Sequence, residues 1–194
     1  MSETNPSFKP IKLIAAVSNN LGIGVNGNIP WNLPNEYRYF LNKITTVEQT
    51  GKKNVLAWGR KSFEKFEEEL LPLENSIIAL MTRNLSELPK YVDYICRDEE
   101  EVVNLVSSPP LSEEVEAIWV LGGVEVYKNM MDHPWCSHIY MTEIMADFEC
   151  DTFFPEFDKE VYRLKENYPG VPSGIQEENG LKYVFKVYEK DLPK

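Results

Sequence analysis

The chain has 194 residues, a formal net charge of −11, 43% hydrophobic and 26% charged residues, the proportions of one globular domain able to bury a core. Acidic residues outnumber basic ones 31 to 20, which excludes a basic face for a nucleic-acid backbone or an anionic membrane. Three scattered cysteines, Cys96, Cys136 and Cys150, fit buried thiols rather than a disulfide framework, and neither a bilayer-length apolar run nor a signal-peptide pattern is present, so a cytoplasmic protein is expected.

Residues 1–10 are expected to form an N-terminal extension, followed by one domain over 11–190. Residues 11–17 are an apolar run that stops at Ser18-Asn19-Asn20 and predict a buried strand. Over 34–46, Tyr37, Phe40, Leu41 and Ile44 share one face, with Pro34 where a helix start tolerates it, predicting an amphipathic helix. Strands are predicted at 55–58, 76–81 and 91–96, with a second helix over 62–70 before the latter two. Asp98 to Glu101 has capping-box spacing ahead of Val102, Val103, Leu105 and Val106. A surface loop over 107–114 leads to a strand at 117–121 and a fourth helix at 124–131. Strands follow at 139–144, 161–168 and 181–188, the last alternating Leu181, Tyr183, Phe185 and Val187 against Lys182 and Lys186. The alternation predicts an α/β domain with a mostly parallel sheet closed by an antiparallel hairpin.

Gly22-Ile23-Gly24-Val25-Asn26-Gly27 matches the dinucleotide fingerprint G-x-G-x-x-G, but Pro30 and Pro34 forbid the helix that should follow at once. The next strand ends at Trp58-Gly59-Arg60 instead of at a ribose-binding acid, so the glycines are read as a loop lying close over a ligand. Gly59-Arg60-Lys61-Ser62 likewise ends like a P-loop, but Asn54 stands where that motif needs its first glycine. Two other strand-to-helix junctions, 58–62 and 120–124, present helix N-termini that could clamp a diphosphate; the alternative is that their glycines only permit tight turns. Arg60, Lys61, Arg83 and Arg97 follow strand ends in an otherwise acidic chain and predict a local site for a polyanion. Glu36, in the first turn of a helix and beside its apolar face, could hold an amidine-like group through two parallel hydrogen bonds, or only complement the helix dipole. His133 and His138 have no motif partner and are read as structural, and no metal site is expected.

Six segments in series then resemble the dihydrofolate reductase family of the animal, monofunctional type. They are Ile14-Ala-Ala-Val-Ser18, Leu21-Gly-Ile-Gly24, Asn28-Ile-Pro-Trp31, Asn35-Glu-Tyr-Arg-Tyr-Phe40, Trp119-Val-Leu-Gly-Gly123 with Val126-Tyr-Lys128, and Asp147-Phe-Glu-Cys-Asp-Thr-Phe-Phe-Pro155. The resemblance implies a mixed, mostly parallel eight-stranded sheet flanked by about four helices. It also implies NADPH-dependent reduction of 7,8-dihydrofolate to tetrahydrofolate, supplying one-carbon carriers for nucleotide synthesis, by a monomer with no nucleic-acid or membrane partner.

Carried over by position, the resemblance makes Glu36 the pterin-binding carboxylate, with Trp31 and Thr142 holding it and a water in place. Ile29, Tyr37, Phe40, Leu41, Phe66 and Leu73 become the apolar walls, Ile14, Ala16 and Leu121 line the pterin pocket, and Tyr127 stands near the nicotinamide. For the cofactor it implies a flap through Gly22, Ile23, Gly24, Gly27 and Asn28, with Ala16 beneath it. A diphosphate turn at Gly59, Arg60, Lys61 and Ser62 follows, then a 2′-phosphate pocket around Met81, Thr82, Arg83 and Arg97. The last part is Gly122 and Gly123, joined by a cis peptide, with Val124, Glu125, Val126 and Tyr127. Water, not a side chain, would then deliver the proton to N5 of the pterin.

Three departures stand out. The segment from Trp31 to Glu36 is one residue shorter than the animal pattern, Ala57 and Trp58 replace smaller aliphatic residues, and Ser76 stands where the family places an arginine for the substrate's α-carboxylate. A pyrimidine reductase of riboflavin synthesis and a non-catalytic NADP-binding module are the rival readings. The Trp31 to Glu36 segment argues against the first, and Glu36, Thr142 and the flap against the second.

Overall fold

The apolar run after Pro10 becomes β1 (Ile11–Val17), the central strand about which the rest is arranged in a computed structural model that describes residues 8–191. In chain order there follow β2 (Gly22–Gly24), α1 (Pro34–Thr45), β3 (Lys53–Gly59), α2 (Arg60–Glu64), a single 3-10 turn at Glu68–Leu70, β4 (Ser76–Met81) and β5 (Tyr94–Cys96). The second half holds α3 (Glu99–Val106), α4 (Leu111–Glu114), β6 (Val115–Val120), α5 (Val124–Met131), β7 (Cys136–Ile144), β8 (Thr152–Phe153), β9 (Tyr162–Leu164), β10 (Gln176–Glu178) and β11 (Leu181–Lys190). The sheet runs β10-β11-β7-β1-β6-β3-β4-β5, with β9 also on β11, while β2 and β8 form a separate ribbon. The pairs from β7 through β5 are parallel; β11 is antiparallel to β7, β9 and β10.

Both faces of the central strands are covered, which is why they read as continuous apolar runs. Leu13, Val17, Ile118 and Met141 pack toward Val102 and Val106 of α3 and Met130 of α5. On the other face Ile14, Leu56, Trp119 and Tyr140 meet Ile44 of α1. Lys186, expected on a polar outer face, is half-buried, and its Nζ is 2.5 Å from Glu143 Oε2.

Several boundaries differ from expectation. The main path of the sheet has the expected eight strands, with β9 added beside β11, and the described residues form five α-helices where about four were expected; β10 is too short to announce itself and α4 lies inside the predicted 107–114 loop. The helix expected over 62–70 is α2 plus the separate 3-10 turn: Glu64, Glu67 and Glu68 would stack like charges on one helical face. The strand predicted from 91 begins at Tyr94, since Tyr91 has φ 67. The strand predicted over 161–168 is reduced to β9, and Asn167 with φ 53 turns the chain away. Residues 1–7 of the expected extension lie outside the described residues. Phe8 packs edge-on against Trp135 at 5.9 Å, and the buried Lys9 donates through Nζ to the Ser112 carbonyl at 2.7 Å, so both residues pack against the body that follows.

Candidate active site

Glu36 enters the first turn of α1 just behind Pro34, and this start aims its side chain down at the sheet instead of out to solvent. It is 8% exposed, and its Oε1 accepts a hydrogen bond of 2.8 Å from Thr142 Oγ1 on β7. Ala16 of β1 and Phe185 of β11 flank Thr142 in register, forming the floor of a cleft. Burial raises the carboxyl from 4.5 to about 7; the Thr142 hydroxyl opposes that rise and Glu178 adds to it. A dipole-complementing surface acid would not be buried, so the amidine-binding reading of Glu36 is the one the geometry supports. Trp31 packs edge-on to Phe148 at 5.4 Å, in a cluster with Leu33, Ala16 and Phe185.

An aromatic wall rises from this floor. Tyr37 stacks with Phe40 at 5.8 Å and reaches Phe66 at 6.4 Å, and Trp58, one of the departures, meets Phe66 edge-on at 4.8 Å. Ile14, Leu121, Leu41 and Leu73 belong to the same cluster. Ile29, at 61% exposure, stands free at the rim. The flap residues are braced from outside: β2 pairs with β8, Asp151 accepts from the Asn26 N–H at 2.9 Å and donates its own N–H to the Gly24 carbonyl at 2.9 Å.

Beyond the cleft, the ends of β3 and β6 meet backbone to backbone. The Gly59 N–H donates to the Gly122 carbonyl at 2.8 Å, and a Cβ on Gly59 would come within 3.1 Å of the Gly123 nitrogen. Gly122 has φ 127 and precedes a cis peptide to Gly123; a Cβ there would press on Ser62 Oγ at 3.2 Å. Tyr127 of α5 donates its hydroxyl to the Ile14 carbonyl at 2.8 Å, tying this junction to β1, and burial opposes its ionisation. Farther along, Thr82, Arg83 and Arg97 line one cavity of about 810 Å³ with Leu85, Ser86, Ile95 and two acids, Asp98 and Glu101, whose carboxylates accept from the backbone N–H groups of Glu101 and Arg97 at 2.9 and 2.7 Å. Among the described residues neither guanidinium forms an ion pair, so two cations stand open in an acidic protein. A backbone cradle that excludes side chains, followed by a cavity with two unpaired guanidinium groups, fits a nucleotide bearing a diphosphate and a further phosphate.

The dihydrofolate reductase family model matches residues 10–190. The chain belongs to the dihydrofolate reductase family. A dihydrofolate reductase of Bos taurus is 41% identical over 184 residues, covering 94% of this chain and 98% of that one, and one of Rattus norvegicus is 43% identical over 183 residues with the same coverage. The solved structure of Schistosoma mansoni dihydrofolate reductase superposes with a TM-score of 0.83 at 28% identity, covering 95% of this chain and all of the other.

Within this dihydrofolate reductase fold the other residues expected at the site lie in varied surroundings. Arg60 starts α2 at the end of β3, outside the Arg83 and Arg97 cavity, and its Nε is paired with Glu64 Oε1 at 2.9 Å. Lys61 and Glu125 are exposed, Met81 and Val126 are buried in the core under α5, and Val124 begins that helix. Ser76 Oγ donates to the Glu74 carbonyl at 2.8 Å. Glu178, Tyr39 and Tyr183 were missed by sequence reasoning, although all three are coupled to Glu36. Only a long-range pairing of β10 could have revealed Glu178. His138 Nε2 lies 3.1 Å from the Tyr168 hydroxyl and burial lowers its pKa to about 4, while His133 Nδ1 accepts from the Trp135 N–H at 3.0 Å.

Proposed function

We propose that the cleft between α1 and the flap is where this chain reduces 7,8-dihydrofolate to 5,6,7,8-tetrahydrofolate, with Glu36 as its pterin-binding carboxylate. The reaction and its cofactor, NADPH, are those of the family. The observation that carries the assignment of the site is the buried Glu36–Thr142 pair on the floor of an aromatic-walled cleft. Thr142 engages one carboxyl oxygen, and the other is left for the exocyclic amine of a bound pterin while the first can serve N3. Bound NADPH supplies the hydride that the pterin ring accepts.

The remaining work belongs to the chain. Glu36 fixes the plane of the ring, and its raised carboxyl keeps a proton within reach of the pterin near neutral pH. Tyr37, Phe40 and Phe66 wall the rings on one side, and the flap from Gly22 to Asn28 excludes bulk water from the reacting faces. Gly59, Ser62, Gly122 and Gly123 would hold the diphosphate, and Thr82, Arg83 and Arg97 the 2′-phosphate. The domain comprises residues 11–190 and acts as a cytoplasmic monomer on small molecules, not nucleic acid. In support, the net charge is −11, all three cysteines are free thiols, and no helix of the described residues is long and apolar enough to cross a membrane.

The test is a continuous absorbance assay with NADPH and dihydrofolate. Turnover by the native chain that falls about a hundredfold in Glu36→Gln supports the assignment; turnover unaffected by that change overturns it.

A further inference from the structure

Helix α1 begins with a deficit. Its N-cap is Leu33, which offers no acceptor, and Pro34 takes the first position, so the first-turn N–H groups must find acceptors elsewhere. One arrives from the far end of the fold. Both carboxyl oxygens of Glu178 accept from the Asn35 N–H, at 3.0 and 2.9 Å, and Asn179 Nδ2 donates to the Asn32 carbonyl at 2.9 Å. Glu178 ends β10, and Asn179 and Gly180, with φ 50 and 75, make the tight turn into β11. The tip of a hairpin thus clasps the short segment that carries the chain from Trp31 to Glu36, and Glu36 directly follows the residue it holds.

We propose that Glu178 is a positioning residue for Glu36: its carboxylate caps the helix turn that carries Glu36 and sets a fixed negative charge beside it, while Asn179 clamps the segment in front. The inference rests on Glu36 being the pterin-binding carboxylate. The groups facing Glu36 come from four elements. Thr142 on β7 donates to it, Glu178 comes from β10, Tyr183 from β11, and Tyr37 and Tyr39 from α1 itself. The three phenols stay neutral, since burial first and nearby carboxylates second oppose their ionisation. Arg38 points along the exposed side, its Nη1 bonded to Asn35 Oδ1 at 3.0 Å. Glu178 is therefore the one anion in the set, and like charge favours the protonated form of Glu36. Because the reduction consumes a proton, loss of that anion moves the working range of the enzyme to lower pH.

Glu178→Gln keeps an amide oxygen for the Asn35 N–H but removes the charge. The expected result is a midpoint of the kcat/KM profile for dihydrofolate lowered by about half a pH unit, a loss of about threefold at pH 8, and an unchanged low-pH plateau. Glu178→Asp, which restores the charge, brings the midpoint back toward the native one, whereas Glu178→Ala, which also loses the cap, lowers kcat at every pH. Carbon-13 NMR titration of the Glu36 carboxyl in ligand-free Glu178→Gln reads the same displacement without turnover. A native midpoint in Glu178→Gln by both measurements overturns the proposal, even if the melting temperature falls. Absence of native turnover sensitivity to Glu36→Gln would instead sink the site assignment, and the NMR titration would still decide whether Glu178 acts on Glu36.

Discussion

Glu36→Gln exchanges a titrating group for a neutral one of the same shape in a side chain that is 8% exposed. Burial lifts the native carboxyl from 4.5 to about 7 in the folded chain. Between those values the folded protein retains a proton that the unfolded chain has already released, so native stability falls as pH rises through this window and levels off above it. A window about 2.5 pH units wide, at about 1.4 kcal/mol per unit, amounts to about 3 kcal/mol. Glutamine has no such titration and its amide oxygen can still accept from Thr142. The two proteins should therefore unfold with similar free energies near pH 4 and diverge until, at pH 8, the variant is the more stable by about 3 kcal/mol. Urea unfolding of the ligand-free proteins at pH 4, 6 and 8 measures the divergence. Parallel stability profiles would refute the reasoning, because they would mean that water reaches Glu36 in the folded chain. The same variant is expected to keep NADPH binding while hydride transfer falls about a hundredfold at neutral pH, so the titrating group that costs the fold stability is the one that serves the reaction.

In the native enzyme, kcat/KM for dihydrofolate should decline as pH rises through about 7, where the Glu36 proton is lost, and a flat profile from pH 5 to 9 would contradict this. NADPH should be preferred to NADH by at least about tenfold, equivalent to about 1.4 kcal/mol, and Arg83→Ala should narrow the ratio by weakening NADPH alone; equal kcat/KM for the two cofactors in the native enzyme would count against the Arg83 and Arg97 cavity. Ser76→Arg should lower KM for dihydrofolate by an amount worth about 1–3 kcal/mol, since Ser76 now spends its hydroxyl on the Glu74 carbonyl; an unchanged KM would show that another cation already holds the substrate's carboxylate. Gly122→Ala should weaken NADPH binding and lower stability by about 1–3 kcal/mol, read by titration and thermal unfolding, because its φ of 127 and the nearby Ser62 hydroxyl leave no place for a methyl group.

Much of this site was legible in the chain because its parts are written locally. Pro34 with the Tyr37, Phe40 and Ile44 stripe announces α1 and puts Glu36 at its start, and glycines at 59, 122 and 123 mark the strand ends where backbone must approach backbone. What stayed hidden depends on partners far away in sequence. Burial of Glu36 requires Thr142, 106 residues on, and the cap of α1 requires Glu178, 143 residues from Asn35, in a three-residue strand with no periodicity to detect. Arg60 is legible in another way: its position after a strand suggests a phosphate ligand, and Glu64 one helical turn away is a local partner that the i,i+4 spacing already shows.

The order of strands in the sheet also has a consequence for biosynthesis. β11 is the last described strand to be made, yet it lies inside the sheet, between β7 and the β10 and β9 edge, and brings Phe185 opposite Thr142. As a nascent chain leaves the ribosome, β1, β3, β4 and β6 can pair early, but the outer rim of β7 keeps its backbone groups unpaired until residues 181–190 have emerged. During that interval the growing polypeptide displays an apolar strand edge of nine residues, the kind of surface to which chaperones and other nascent chains attach. The pterin site has no finished floor before then, so a ligand of that site that rescues a destabilised variant can act only after β11 has been made.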